Sequence, residues 1–492
     1  MACGNMRRMD RRGFLTSTLA ASCTALASPR AFAARRGGRR PRLTVFPEKL
    51  GNAIAPDFTG LSYETSQLSD PSFFSRENAP LAGFHRRLGT AGILRIGGNT
   101  SEFSVWSPAA APIQPAAAAL GPDTGRHPAP RRPVTPLAIR NLRGFLELSG
   151  WRLIYGLNMG SESPETVAAE AAQVAGVMGA RLVAFQLCNE PDLFHQNGLR
   201  PADYDYPQFA AEWRRYFRVL RRRLPGVPVA GPDTAGNNEW LRRFADGQRH
   251  DLAFLTHHYY AEGPPTDPSM TIGRLLSPSP RLEAEFAAAD AVRRRTGLPF
   301  RMAETNSCYQ GGKPGVSDTF ASALWAADLM YRLVQAGAIG VNFHGGGYGW
   351  YAPVAGTRGN GFVARPIYYG MLLFAVAGPG RLVKMESEGG SDGPLAAYCV
   401  RAADGTLKLV LLNKSPDRDA TLAVAVPGVK IASVLRITAP RLDDTTDVTF
   451  GGAVVGNDGA WTPTVAESLA VRGGVVTLMV PQASGALVTL SA

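Results

Sequence analysis

Cysteine is sparse: five residues in 492, two of them (Cys3 and Cys23) within the first 33 positions. The other three, Cys188, Cys308 and Cys399, are far apart and cannot all pair. None has metal-type spacing, so neither a disulfide framework nor a zinc site organises the chain. Cys188 and Cys308 lack a histidine or asparagine partner in a nucleophile motif and read as small packing residues. Glycine-rich loops are present, but none has the Walker spacing with Lys and Ser/Thr, which argues against nucleotide phosphate. Past position 33 no stretch reaches the ~18 apolar residues that a membrane span needs. Acidic residues are outnumbered, 40 Asp and Glu against 52 Lys and Arg, for a formal charge of +12. A basic surface suits acidic polysaccharide, nucleic acid or membrane; plain arginine usage with no partner behind it accounts for it equally well. No internal repeat is found.

What is present begins with an export signal, expected over 1–33. Arg11-Arg12-Gly13-Phe14-Leu15 is a twin-arginine signature, 15–27 is apolar, and Ala31-Phe32-Ala33 is a small-x-small cleavage site. These features imply an exported protein, periplasmic or secreted. Cys23 after Leu19-Ala20-Ala21-Ser22 forms a weak lipobox that fits less well than the later alanine site. Residues 34–42 are a basic arm expected to be disordered. Residues 43–57 contain a strand expected to pair with the C-terminal part.

From 58 onward, short apolar runs alternate with helical patterns. The runs are 58–64, 93–97, 152–157, 182–187, 227–230, 253–259, 300–303 and 339–343, and a helix-like segment follows each. Eight such units predict a (β/α)8 barrel over 58–377. A Pro/Ala-rich loop at 107–136 follows the second strand, on the side where such barrels carry their chemistry. After 378 the pattern changes to alternating runs at 395–400, 407–412, 420–426, 433–438, 465–469 and 475–479, punctuated by turn pairs such as Asp404-Gly405 and Pro427-Gly428. This predicts an antiparallel β-sandwich over 378–492.

Two glutamates stand where barrel strands end. Glu190, in Asn189-Glu190-Pro191, closes the fourth strand, and Glu304 closes the seventh. Two carboxylates facing each other across a cleft suit glycoside hydrolysis. Glu190 reads as the acid/base, needing a pKa raised by desolvation. Asn189 beside it can hydrogen-bond a sugar hydroxyl. Glu304 reads as the nucleophile; the competing reading is a buried partner for Arg301 or Arg95. Thr256-His257-His258-Tyr259-Tyr260 ends the sixth strand. Alternate side chains share a face, so His257 and Tyr259 are expected to point into the barrel mouth, with Tyr259 donating to the nucleophile. His258 and Tyr260 are expected to pack on the other face. The paired histidines lack an acidic partner at helical spacing, so no metal is expected. Loops at Gly97-Gly98, Gly311-Gly312 and 345–347 let backbone N–H groups approach an anion such as a sugar carboxylate.

Taken in order, Leu94-Arg95-Ile96-Gly97-Gly98-Asn99, Asn189-Glu190-Pro191, His257-His258-Tyr259-Tyr260 and Glu304-Thr305 with Tyr309 and Gly311-Gly312 resemble glycoside hydrolase family 79, which holds heparanase and microbial β-glucuronidases. The resemblance spans about 43–490. It implies a retaining β-glucuronidase on a barrel with a β-sandwich, needing no cofactor and acting on a glucuronide-containing glycoside or oligosaccharide, not on nucleic acid. By position it implies Glu190 as acid/base and Glu304 as nucleophile, with Asn189, His257 and Tyr259 in support. Tyr309, Gly347 and Tyr348 would grip the glucuronate carboxylate, and Glu64 and Asn99 would contact sugar hydroxyls. Heparanase's basic clusters are not found near the strand ends, so the microbial exo-enzymes are the nearer pattern. Two other functions compete: a retaining β-glycosidase for a neutral sugar such as a glucoside or xyloside, and a non-catalytic polyanion-binding protein.

Overall fold

Eight parallel strands close into a barrel: β1 (Thr59–Glu64), β2 (Ile93–Gly97), β3 (Arg152–Gly156), β4 (Leu182–Gln186), β5 (Val229–Thr234), β6 (Phe254–Glu262), β7 (Phe300–Cys308) and β8 (Gly340–His344). The computed structural model describes residues 41–109, 131–345, 349–388 and 394–491. The expected export signal, nearly all of the basic arm, and positions 110–130 of the long loop lie outside them. Each strand pairs in parallel with its neighbours in chain order, and β8 returns to β1. The strands are buried on both faces, as a parallel sheet wrapped by helices requires. The sequence pattern ends the sixth and seventh strands at 259 and 303; both run on to Glu262 and Cys308, which raises a rim above the barrel.

The helices are α1 (Ala79–Arg87), α2 (Pro136–Ser149), α3 (Pro164–Met178), α4 (Tyr206–Arg223), α5 (Asn238–Gln248), α6 (Ile272–Leu276), α7 (Pro280–Thr296), α8 (Phe320–Gln335) and α9 (Pro366–Ala377). Their starts are written in the sequence. Thr135, Ser163 and Ser279 each precede a proline and accept a hydrogen bond from the first turn, and Asp205 forms a capping box with Gln208. The buried side of α4 carries Phe209, Trp213, Phe217 and Leu220, spaced three and four apart against the sheet. No helix among the described residues is long and apolar enough to cross a membrane.

Inside the barrel the floor is a small apolar layer of Ile93, Ile154, Ala184, Ala230 and Phe254. Beside it Arg301 donates to the Asn342 side chain at 2.7 Å, and Asn342 donates to the carbonyls of Leu61 and Ile93. Gly60 faces Asn342 so closely that a Cβ would collide with its amide.

The C-terminal domain is an antiparallel β-sandwich built from one eleven-stranded sheet. Its two halves share an apolar core that includes Val45, Leu409, Val424, Leu478 and Val488. The N-terminal strand Arg42–Ile54 lies inside this sheet, antiparallel to Gly380–Glu388 and parallel to Ala420–Ala425. The pattern-based reading missed two of the sheet's long strands. Gly380–Glu388 mixes charge with apolar residues, and Ser484–Ser491 is mostly small residues. Barrel and sandwich are joined through α8: Tyr398 stacks on Tyr331 with ring centres 4.7 Å apart and donates to Asp328 at 2.6 Å, and Lys414 reaches the other Asp328 oxygen at 2.9 Å. Behind α8, α9 packs against it at Gly370, where a Cβ would collide with the Ala323 carbonyl oxygen. Gly370→Ala is therefore expected to destabilise the protein by about 1–3 kcal/mol, as overpacking does. A lowered midpoint in urea unfolding checks it.

Candidate active site

Above the floor, one side chain organises the barrel mouth. Arg95 of β2 is fully buried, and its guanidinium donates in several directions. Nε reaches Gln186 at 2.8 Å, and Nη1 reaches Ser62 at 3.0 Å and Glu304 at 2.6 Å. Nη2 reaches Asn189 at 2.8 Å and Asp233 at 2.6 Å. A buried charge is tolerated only when paired and hydrogen-bonded. Here burial works against the cation, but the two carboxylates outweigh it and raise its pKa.

Two irregularities bring those carboxylates inward. On β7 the pairing with β6 shifts between Met302 and Glu304. Arg301 faces the barrel interior, so strict alternation would turn Glu304 out; the bulge turns it in. On β5 the pairing shifts between Pro232 and Thr234, and Asp233 takes a left-handed backbone with φ 64°. Its carboxylate then meets Arg95 and, at 3.1 Å, His258 Nε2.

Glu304 accepts from Arg95 and, at 2.6 Å, from the Tyr260 hydroxyl. His344 Nδ1 stands 3.6 Å from the same carboxylate, and its Nε2 lies 3.2 Å from Glu64. Burial alone would raise Glu304, but His344, His258, Arg95 and the Tyr260 hydrogen bond hold it well below the usual carboxylate range. Burial would lower His344, and Glu304 and Glu64 raise it by more. Glu190 sits opposite, with Oε1 2.9 Å from His258 Nδ1. Burial pushes its pKa up, the hydrogen bond and charge of His258 pull it back, and Glu304 pushes it up again; the net direction is up. Burial alone would lower His258, yet Asp233 and Glu304 raise it to about 10. Oxygens of Glu190 and Glu304 and a ring nitrogen of His258 all lie within 4.8 Å of one another. Among the described residues this is the one cluster of histidine and carboxylate groups close enough to hold a metal ion. A cation there would sit beside the buried charge of Arg95, which disfavours it.

The Glu190 backbone is also pinned. Its residue is left-handed at φ 49°, its N–H donates to the Asp233 carbonyl at 2.9 Å, and its carbonyl accepts from Leu193. Asp192 accepts from the Ala235 N–H with both oxygens. One step back, the Asn189 N–H donates to Glu102 Oε1 at 2.5 Å, and the Gly160 N–H donates to Oε2 at 2.5 Å. Glu102 thus ties the loops after β2, β3 and β4 together. Burial pushes its pKa up to about 8 even though both backbone hydrogen bonds favour its charge.

Glu64, Asn99, Glu190, Glu304 and Tyr309 line one cavity of about 530 Å³ at the C-terminal ends of the strands. Asn189 lies beneath it, between Arg95 and the Asn99 side chain. His257 and Tyr259 require a correction. His257 points away, bonded to Thr234 at 2.7 Å and Glu285 at 3.0 Å, and the Tyr259 hydroxyl goes to Ser279 at 3.3 Å. Tyr259 lines the cavity wall, while His258 and Tyr260 face the two glutamates. Alternation holds along β6, but its phase was set wrongly, because both faces of the strand are buried and polarity does not distinguish them. Gly347 and Tyr348 lie outside the described residues. The residue pattern did not point to Asp233, Gln186, His344 or Glu102, and it gave Arg95 only as part of the Leu94–Asn99 motif and as a competing partner for Glu304.

Comparison with known proteins finds glycoside hydrolases. Residues 397–487 match the model of the glycosyl hydrolase family 79 C-terminal beta domain. The chain is 26% identical over 502 residues to a beta-glucuronidase of Aspergillus niger, covering 89% of each. It is 27% identical over 362 residues to a beta-glucuronidase of Neurospora crassa, covering 65% of this chain and 60% of that one. Among solved structures, a 4-O-alpha-L-rhamnosyl-beta-D-glucuronidase from Fusarium oxysporum superposes with a TM-score of 0.74 at 18% identity, over 91% of this chain and 100% of that one. At that identity the likeness is one of fold.

Glu102→Gln leaves a single acceptor oxygen for two buried N–H groups. It is expected to cost about 1–3 kcal/mol, the penalty of an unmet buried donor. A carboxyl raised from 4.5 to about 8 on folding contributes stability that is lost as pH rises between those values. The variant should therefore also show a flatter decline across that window. Urea unfolding at both ends of the window checks both effects.

Proposed function

We propose that the chain is a glycoside hydrolase of family 79, a retaining β-glucuronidase that works at the cavity between Glu190 and Glu304. The observation that carries this reading is the approach of the two carboxyls, whose oxygens lie within 4.8 Å. That closeness favours the retaining arrangement of about 5–5.5 Å over the about 6.5–9.5 Å across which inverting enzymes place a water.

The proposed reaction is a double displacement. Glu304, held ionised by Arg95 and Tyr260, attacks the anomeric carbon while the bond to the leaving oxygen breaks and Glu190 gives that oxygen its proton. A glycosyl ester on Glu304 results. Glu190, now a carboxylate, takes a proton from water, whose oxygen attacks the same carbon and releases the sugar with its β configuration retained. Glu64 and Asn99 stand where sugar hydroxyls would lie, and Tyr309, with Gly347 and Tyr348 in sequence proximity to the β8 end, is the proposed grip on the glucuronate carboxylate. We also propose that residues 1–33 direct export by the twin-arginine route. Replacing Arg11 and Arg12 by lysine would then trap the enzyme in the cytoplasm, as fractionation would show.

The pH dependence follows from the two shifts. Glu304 must be ionised, and its depressed pKa keeps it so far into acid. Glu190 must be protonated for the first step, so kcat/KM falls as pH rises through its raised pKa. Glu304→Gln is expected to abolish turnover of 4-nitrophenyl β-glucuronide with the fold intact. Glu190→Gln should slow it by about 10²–10⁴-fold, the usual worth of a general acid–base, and remove the alkaline limb. Azide should partly restore Glu190→Gln by trapping the glycosyl ester. A wild-type preference for the β-glucoside over the β-glucuronide would overturn the substrate assignment and favour the neutral-sugar reading.

A further inference from the structure

The cavity wall carries a cation that the proposed chemistry does not use. Arg281, in the first turn of α7, lines the cavity with an exposed guanidinium. Among the described residues it has no carboxylate partner. Its guanidinium lies 5.1 Å from the centre of the Tyr259 ring, which orients its plane. Neighbouring cations are engaged: Arg274 is 2.9 Å from Glu262, and Lys313 donates to the Asp267 carbonyl at 2.7 Å. The nearest acid on its own helix face, Glu285, is buried and taken by His257. Helix stability does not account for Arg281 either, since a cation in a first turn opposes the helix dipole.

Its place on the wall indicates which part of a substrate it would meet. Gly236, in the loop after β5, stands against Glu285, one turn along α7 from Arg281. The adjoining Ala235 is held by Asp192, two residues beyond Glu190. The Arg281 wall is thus continuous with the loop that delivers the acid, and the leaving group must lie beside that acid.

We infer that Arg281 forms an anion-binding position on the leaving-group side of the cavity, which selects glycosides whose aglycone bears a carboxylate. A guanidinium presents paired donors matched to a carboxylate, and a wall position free of internal ion pairing leaves them available. The inference rests on the β-glucuronidase reading for the sugar but not for the aglycone.

The test uses two aryl β-glucuronides matched in leaving-group acidity, one with a ring carboxylate and one with the neutral carboxamide. The ratio of their kcat/KM values is compared in the wild type, Arg281→Gln and Arg281→Lys. The carboxylate-over-carboxamide ratio is expected to fall about tenfold in Arg281→Gln, mainly through KM, the scale of one hydrogen bond to a charged group. It should fall less in Arg281→Lys, and the wild-type preference should shrink with added salt. An unchanged ratio overturns the proposal. So does an equal loss on both substrates, which would mean that Arg281 reads the sugar carboxylate or only supports the fold. The same pair built on β-glucose separates this from the sugar assignment: if the enzyme prefers glucosides, the glucuronidase reading fails while the aglycone ratio still reports on Arg281.

Discussion

A guanidinium sealed inside the barrel is the constraint from which the rest of the mouth follows. Removing such a charge from water costs several kcal/mol, recovered only if carboxylates and acceptors surround it closely. Arg95 meets that demand with groups from β1, β4, β5 and β7 and from the loop after β4. Each strand must then arrive at a fixed height and with a given side chain turned inward. A barrel of apolar layers tolerates substitution by volume; a layer of fixed charges does not, because a partner moved by one residue leaves an uncompensated ion. Arg95 thereby converts fold stability into positional accuracy for the groups above it.

The same demand accounts for the shift in β7 and the left-handed residue in β5. Without the shift in β7, Glu304 would face the helices and Arg95 would lose one of its two counter-ions. Without the left-handed Asp233 it would lose the other. Holding a non-glycine residue in that backbone region costs about 1–3 kcal/mol, which is less than the ~3–5 kcal/mol at stake when a buried pair is broken. The third departure, the left-handed Glu190, lies one residue beyond Asn189, itself an Arg95 acceptor. At these three positions the irregular backbone re-aims a charge or its neighbour.

This also explains what could and could not be read from the residues alone. The barrel was legible because each apolar run is short and followed by a helical pattern, several of them opened by a capping residue, and Glu190 and Glu304 were legible because carboxylates at the ends of such runs stand out. The phase of β6 was not, since His257 finds Thr234 and Glu285 on one side while His258 finds Glu190 and Asp233 on the other, and both sets are buried. A bulge leaves no mark in composition, so nothing in the residues singled out Asp233. Glu102 was hidden because its partners are backbone N–H groups, which every sequence has. Its position three residues past Asn99, in a loop otherwise of small polar residues, was the available hint. In the sandwich, Ser484–Ser491 escaped notice because its small residues carry little apolar contrast, although it lies mid-sheet between two long strands.

The two glutamates show how one cationic network can assign two opposite roles. Both are buried, and burial by itself raises both pKa values. Glu304 is pulled down by His344, by His258 and by Arg95, which touches it directly; Glu190 touches His258, feels Arg95 less, and stays up. Environments that push a pair of carboxyls apart in pKa are what an acid and a nucleophile require. Their closeness adds a second effect, because the charge of Glu304 is one cause of the elevation at Glu190. In the proposed reaction Glu304 becomes an uncharged ester after the first step, and that cause disappears. The affinity of Glu190 for its proton then drops just when it has given that proton away and must act as a base. The reversal needs no movement of the protein; it follows from two carboxyls sharing one field, with only one of them in contact with the arginine.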